Sequence, residues 1–336
     1  MNNFQADVKR QLIDPFGREI NYLRLSVTDR CNLRCTYCMA EEMTFLPKAQ
    51  VLTLEETCQI AETFVELGVR KIRLTGGEPL VRQGIVKLVN DLSALPGLDE
   101  LVMTSNGVML PQMAAALKEG GLKRINISLD SLKPQRFSAT TRVGDLDQVL
   151  AGIAAAQKGG FGKVKINAVV MAGVNDDEIL DLARFAVDGG MDISFIEEMP
   201  LGDISSHQRK DTQISSEQIR RQLETVFTLV QTTESTGGPS RYSKVVGSDS
   251  KIGFISPLSD NFCSSCNRVR LTAEGRLLLC LGNENSLDLR SVVRRYPGDK
   301  ERLKNSIIDA IGNRPERHHF DPEQTDIVRF MNMTGG

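Results

Sequence analysis

No apolar run in the 336-residue sequence approaches the ~20 residues that cross a bilayer, so no membrane span is expected. The N-terminal stretch MNNFQADVKRQLIDPFG lacks the apolar core of a secretion signal, which points to the cytoplasm. Charge of one dominant sign is missing too: 41 Lys and Arg oppose 43 Asp and Glu, a formal net of −2. No global field therefore favours a nucleic acid polymer or an anionic membrane, and an anionic substrate must be held by locally placed cations. There is no repeat of fixed period and no low-complexity tract. What is left, 40% apolar and 25% charged residues, is ordinary for a globular chain long enough for one large domain and a smaller one.

Seven cysteines stand out against that plain background. In a reducing compartment their spacing points to metal or redox chemistry rather than to disulfide staples. Six fall into two tight groups, Cys31/Cys35/Cys38 and Cys263/Cys266/Cys280. Cys58 stands alone at an apolar position of a helical pattern and reads as an inert buried thiol.

Residues 20 to 200 repeat one alternation: a short β-branched run, a polar or glycine loop, then a segment of helical period. The expected strands are Tyr22–Val27, Lys71–Thr75, Glu100–Thr104, Arg124–Ser128, Val164–Val170 and Ile193–Glu197. Thr53-Leu54-Glu55-Glu56 is a capping-box pattern, opening a helix with Ile60, Phe64 and Leu67 inside and a stop at Gly68. Asn175 to Glu178 opens another, ending near Gly189-Gly190. Six strands alternating with helices predict parallel pairing with right-handed crossovers, in an open doubly wound sheet or a complete or incomplete barrel. Both build their site from the loops after the carboxyl ends of the strands. The chemically suggestive residues sit in those loops: the first cysteines, Gly-Gly-Glu-Pro after strand two, Ser-Asn-Gly after strand three, Leu-Asp after strand four. Beyond about residue 205 the composition changes. QTTESTGGPSR at 231–241 reads as an exposed loop, Lys251–Ile255 as a strand, and Val269–Thr272 with Arg276–Leu281 as a hairpin, together a second, smaller domain.

Each cysteine group supplies three thiolates and no fourth Cys or His nearby. Structural zinc needs four closed ligands, and electron-carrying [4Fe–4S] clusters use four cysteines. Three thiolates on a cubane leave one iron open to an exogenous ligand. Zinc completed from elsewhere in the chain stays the alternative at both groups. Near the second group, Arg268 and Arg270 alternate along a strand and so share a face, where two guanidiniums suit a polyphosphate; a solvated surface pair is the other reading.

Cys31-x3-Cys35-x2-Cys38 with Tyr37 before its third cysteine, and Thr75-Gly76-Gly77-Glu78-Pro79 one strand later, resemble the two signature loops of the radical S-adenosylmethionine superfamily. From about residue 14 to the last, FGREINYLRLSVTDRCNLRCTYCM, RLTGGEP, KIGFISPLSDNFCSSCNRVRLTAEGRLLLCL and the terminal Gly335-Gly336 are similar to the GTP 3′,8-cyclase family. That resemblance implies an α/β fold: an incomplete (β/α)6 TIM-type barrel over residues 14–205, its core extending as far as about 235. A smaller C-terminal α+β domain, 206–336, would carry a second iron–sulfur cluster and the Gly-Gly tail. The implied reaction converts GTP to (8S)-3′,8-cyclo-7,8-dihydroguanosine 5′-triphosphate, the first step of molybdenum cofactor (molybdopterin) biosynthesis. The implied cofactors are two [4Fe–4S] clusters and S-adenosylmethionine. In this reading Cys31, Cys35 and Cys38 hold the first cluster and Cys263, Cys266 and Cys280 the second. Tyr37, Gly77, Glu78, Ser128 and Met199 match positions against S-adenosylmethionine. Arg24, Lys71, Arg73, Thr104, Lys165, Arg268, Val269 and Arg270 match the GTP pocket. Arg268, Arg270, Gly335 and Gly336 join the first three cysteines as the catalytic set, the tail reaching into the active site. The family's habits further imply a cytoplasmic homodimer, an external electron donor such as flavodoxin or ferredoxin, and a cyclic pyranopterin monophosphate synthase that takes the product.

Two positions depart from the family pattern. Ser194 stands where an Arg usually precedes Phe-Ile-Glu, removing one expected triphosphate contact, and Ala40 stands where Pro is frequent. A peptide-modifying radical enzyme would carry more cysteines in its second domain. An iron–sulfur electron carrier has no use for an open iron, a Gly-Gly-Glu-Pro loop or a basic pocket.

Overall fold

The β-branched runs form the expected strands, at nearly the expected bounds: β1 (Tyr22–Ser26), β2 (Lys71–Thr75), β3 (Glu100–Ser105), β4 (Arg124–Ser128), β5 (Lys165–Val170) and β6 (Asp192–Glu197). The structure is a computed structural model that describes residues 11–202, 204, 207, 209–318, 320 and 327–335. Every residue of β1 and β2 is buried, as parallel strands covered on both faces require. Between the strands run α1 (Leu54–Glu66), α2 (Ile85–Ser93), α3 (Leu110–Glu119), α4 (Pro134–Thr141) and α5 (Leu146–Lys158), with α6 (Ile179–Asp188) before β6. The capping box at Thr53 forms: its hydroxyl accepts from Glu56 N at 3.1 Å, and Glu56 Oε2 accepts from Thr53 N at 2.8 Å. Ile60 and Phe64 of α1 are wholly buried, each worth about 2 kcal/mol of apolar burial, and the turn after the helix uses Gly68 at φ +104. Cys58 on α1 is half-buried against this core rather than enclosed in it.

The C-terminal third does not make a sheet of its own. It contributes β7 (Leu229–Gln231), β8 (Arg241–Val245), β9 (Lys251–Ile255), β10 (Arg268–Leu271), β11 (Arg276–Leu278) and β12 (Ser286–Asp288). These extend the sheet at both edges, giving the order β12-β11-β10-β1-β2-β3-β4-β5-β6-β9-β8-β7. β9 lies parallel to β6 and β10 parallel to β1, while the outermost strands are antiparallel hairpin partners. Sequence periodicity reads strands but not these long-range pairings. The hairpin through Ala273-Glu274-Gly275 is found as expected. β7 and β8, flanking the expected loop, were not visible in the sequence, and neither were β12 and the helices α7 (Ser216–Glu224), α8 (Leu289–Arg295), α9 (Lys300–Ile311) and α10 (Met331–Thr334).

Side chains from all eight parallel strands, Tyr22, Arg73, Thr104, Asn126, Lys165, Ile196, Ile255 and Arg268 among them, line one cavity. A flat sheet cannot do this, so the sheet curls into a barrel that stays open between β9 and β10. The segment 256–267, with Cys263 and Cys266 on it, crosses that gap.

Candidate functional site

Strand register builds the first half of the site. Tyr22 pairs with Arg268 on one side and Lys71 on the other; two residues on, Arg24 pairs with Arg270 and Arg73. Neighbouring strands lie about 4.8 Å apart, so five cations and one phenol form two adjoining rows. Arg73 Nε donates to Tyr22 Oη at 2.6 Å, and Arg73 Nη1 to Thr104 Oγ1 at 3.1 Å. Lys165 Nζ donates to Tyr242 Oη at 3.2 Å. Burial and the neighbouring guanidiniums bring Arg24 down to about 10 and Arg270 to about 9. Burial raises the Tyr22 phenol, but the field of Arg73, Arg24 and Lys71 more than reverses this, bringing it down to about 7. Arg268 Nη2 and Arg270 Nε are buried with no hydrogen-bond partner among the described residues. Crowded buried cations with unfilled donors suit a polyanion. Both arginines therefore face the cavity, not solvent.

Two expected contacts sit differently. Lys71 is turned aside, paired with Glu100 at 2.7 Å and donating to the Thr236 carbonyl at 2.6 Å. The Val269 side chain points into the hydrophobic core, since alternation along β10 sends it opposite Arg268 and Arg270. Ser194, wholly buried, bonds Ser240 hydroxyl to hydroxyl at 2.8 Å. Gly253 packs so closely beside them that a Cβ would lie 2.2 Å from Ser240 Oγ. A longer side chain at Ser194 has no room there.

The second half is a neighbouring cavity lined by Cys31, Cys35, Tyr37, Cys38, Gly77, Glu78, Ser128 and Met199. Thr104, Asn167, Ile196, Met199 and Met331 line both, so the two ligands would share a wall.

Gly-Gly-Glu-Pro works here as a fastening. Gly77 N donates to Thr28 O and Glu78 N to Arg30 O, both at 2.8 Å. A Cβ on Gly77 would lie 2.4 Å from Arg30 O, so only glycine lets this backbone lie against the lead-in to Cys31. The Glu78 carboxylate accepts from Leu80 N at 3.0 Å, Ser105 Oγ at 2.8 Å and Asn106 N at 2.7 Å. Three of its roughly four acceptor sites are thus filled by the protein, and burial pushes it up to about 7. It ties the second loop to the third, more than the sequence suggested. The same loops supply two partners whose roles spacing did not reveal. Asn106 Nδ2 donates to Asn32 Oδ1 at 2.7 Å and lies 3.8 Å from Cys31 Sγ. Asp130, pushed up to about 6 by burial, accepts from Tyr37 Oη at 2.7 Å.

The donor set tests what the cysteines could hold. Burial first, then adjacent sulfur, pushes Cys38 up to about 12; burial brings Cys31 to about 11 and takes Cys35 well above its usual range. Three buried sulfurs lining one cavity become thiolates only with a strong local cation, as a metal centre provides. Among the described residues no three His, Cys, Asp or Glu converge tightly enough to hold a single metal ion; a cubane takes each thiolate on a different iron. Cys263, Cys266 and Cys280 line the cation cavity in the same manner. Burial raises Cys266 as well, but Arg268 and Arg314 outweigh it and hold that thiol low. Arg314 was not singled out by the sequence.

Of the chain's last described residues, Met331 lies on the wall between the cavities. Met331 N donates to Cys38 O at 3.2 Å, and Asn332 Nδ2 to Asp29 O at 2.9 Å. Gly335, at φ +75, accepts from Arg24 Nη2 at 3.5 Å. A Cβ there would lie 1.9 Å from Thr75 Oγ1. Gly336 lies outside the described residues.

Comparison with known proteins places the chain among families. The family model of the Radical SAM superfamily matches residues 25–186, and that of Molybdenum Cofactor Synthesis C matches residues 191–320. The chain is 60% identical to a GTP 3′,8-cyclase of Pseudomonas putida (strain W619) over 97% of its length and 98% of the relative's. It is 57% identical to the GTP 3′,8-cyclase of Ectopseudomonas mendocina (strain ymp) over 97% and 99%. Among solved structures, SuiB of Streptococcus suis bound to S-adenosylmethionine superposes with a TM-score of 0.58 at 16% identity, over 86% of this chain and 68% of that one. This last likeness is one of fold alone.

Proposed function

We infer the use of the two cavities from one premise: this chain belongs to the GTP 3′,8-cyclase family of radical S-adenosylmethionine enzymes. Its reaction is the conversion of GTP to the 3′,8-cyclised dihydroguanosine triphosphate, the first step of molybdenum cofactor biosynthesis, with S-adenosylmethionine and a [4Fe–4S] cluster. That cluster, on Cys31, Cys35 and Cys38, supplies the electron that cleaves S-adenosylmethionine to a radical.

The observation that carries the residue assignments is the shared wall. Tyr37, Gly77, Ser128 and Met199 would hold S-adenosylmethionine, and Thr104, Asn167 and Met331 separate that cavity from the cation cavity. Arg24, Arg73, Lys165, Arg268 and Arg270 then bind the triphosphate and fix the ribose against that wall, which is positioning rather than proton transfer. Met199, Ile196 and Met331 give the wall its apolar surface and exclude water. Cys263, Cys266 and Cys280 are assigned a second [4Fe–4S] cluster at the guanine end, since they line the same cavity as the cations. The division of labour follows residues 14–205 and 206–336, the latter supplying the closing segment 256–267 and the tail. No helix among the described residues is long and apolar enough to cross a membrane. The proposed setting is the cytoplasm, as a homodimer reduced by a flavodoxin or ferredoxin and handing its product to cyclic pyranopterin monophosphate synthase.

Anaerobic reconstitution followed by iron counting and an assay with both ligands tests this. About eight irons per chain are expected, four for each cluster, with 5′-deoxyadenosine release that depends on GTP. Four irons, bound zinc, or cleavage indifferent to GTP would refute the two-cavity assignment.

A further inference from the structure

Beneath the second cysteine group, three buried charged residues from distant parts of the chain meet. Asp14 Oδ2 accepts from Arg18 Nε at 2.6 Å and from Arg314 Nη1 at 2.7 Å. Its other oxygen accepts from the main-chain N–H groups of Phe16 and Arg18, both at 3.0 Å. The side chains of Asp14, Arg18 and Arg314 are 0%, 7% and 3% exposed. A carboxylate between two guanidiniums could serve the fold alone, but the two arginines spend their remaining donors differently. Arg18 reaches only main-chain carbonyls, those of Cys263, Pro315 and Glu316. Arg314 donates to the carbonyls of Leu279 at 3.1 Å, Cys266 at 2.9 Å and Arg268 at 3.2 Å, and Nη2 also lies 3.0 Å from Cys266 Sγ.

We infer that Arg314 is a positioning residue for the second cysteine triad, setting the electron density on the Cys266 sulfur through a charged N–H donor while holding the segments that carry Cys266 and Cys280. A neutral thiol is a weak acceptor, and a guanidinium aimed at it gains little; a thiolate is a strong one. The inference rests on the reading of this triad as cluster ligands. Hydrogen bonds to ligand sulfurs help set a cluster's reduction potential, and outer partners of metal ligands govern how well the centre binds what it must bind. By drawing density from one sulfur, Arg314 raises the potential and makes an open iron a better acceptor for a donor atom of the substrate. Arg18 shares the same carboxylate but touches no sulfur, so it is the built-in comparison.

The test uses the full chain with Cys31, Cys35 and Cys38 replaced by alanine, so that iron loads only at the second triad. Potentiometric titration followed by electron paramagnetic resonance reads the midpoint, and equilibrium binding reads GTP affinity. Arg314→Gln is expected to lower the midpoint and weaken GTP binding ~10-fold. Arg314→Lys, which keeps the charge without the fork, is expected to fall between Arg314→Gln and the parent. Arg18→Gln, which loses a main-chain contact to Cys263 but no sulfur contact, is expected to lower thermal stability and to move the midpoint less than Arg314→Gln does. Where Arg314→Gln does not load iron, Arg314→Lys decides: a lowered midpoint supports the inference and an unchanged one overturns it. A midpoint shift in Arg18→Gln as large as that in Arg314→Gln also overturns it, since the sulfur contact would then be irrelevant. A parent protein that takes up zinc, or none of the about four irons of one cluster, overturns the cluster reading instead, so the two failures are distinguishable.

Discussion

Tyr22 shows how a single side chain takes its chemistry from its neighbours. Its hydroxyl lies 2.6 Å from Arg73 Nε, with Arg24 and Lys71 close behind, and its acidity rises until the phenol titrates near 7 instead of 10. A group whose folded value is depressed contributes stability that is fully present above its unfolded pKa, here about pH 10. That contribution is lost as pH falls through about 7. Ultraviolet difference titration of the ligand-free chain should show one tyrosinate forming near pH 7 and absent in Tyr22→Phe. Because the phenolate neutralises part of the cation rows, GTP affinity in the parent should fall as pH rises through this midpoint, while Tyr22→Phe loses that step and keeps only the one near 8 from Tyr242 beside Lys165. Glu78 makes the complementary case. The motif was legible in the sequence, but its carboxylate is spent mostly on Leu80, Ser105 and Asn106, because a buried acid takes whatever donors the fold brings and no spacing records which.

Among the elements, α1 was legible almost in full: Thr53 and Glu56 announce its start, the inward row of Ile60 and Phe64 its face, Gly68 its end. All these signals lie within a few residues of one another. Thr53→Ala removes the hydroxyl that accepts from Glu56 N and leaves the backbone bond from residue 53 to the Glu56 carboxylate; it should cost about 1 kcal/mol, lowering Tm by about 2 °C without changing the iron content, and calorimetry of the apo and loaded forms checks this. β10 is the opposite case. Its residues read as a strand in the sequence, yet its parallel partner is β1, and only that register sets Arg268 beside Tyr22 and Arg270 beside Arg24. The cysteine spacings were local and so visible. The Asp14–Arg18–Arg314 contact joins residues some three hundred positions apart and was not.

For the molecule as a whole, the loop after the first strand and the last described residues converge on the site. The loop after β1 carries three cysteines, and Gly335 accepts from Arg24 while Met331 stands between the cavities. Removing Gly335 and Gly336 should leave about eight irons per chain and intact binding of S-adenosylmethionine, yet abolish the cyclised product. Chromatographic product analysis beside iron counting decides this, and unchanged product formation would refute the role of the tail.

The open seam between β9 and β10 also bears on how the chain is made. The outer edge of β1 is completed by β10, about 250 residues later in the sequence. At translation rates of about 5–20 residues per second, that edge waits roughly 12–50 s on the ribosome with its backbone groups unpaired. During that interval the first cysteine loop has emerged while segment 256–267, which carries two of the second group's cysteines, has not. A nascent chain in this state is a natural client for chaperones, and iron delivery to the first triad can precede closure of the barrel.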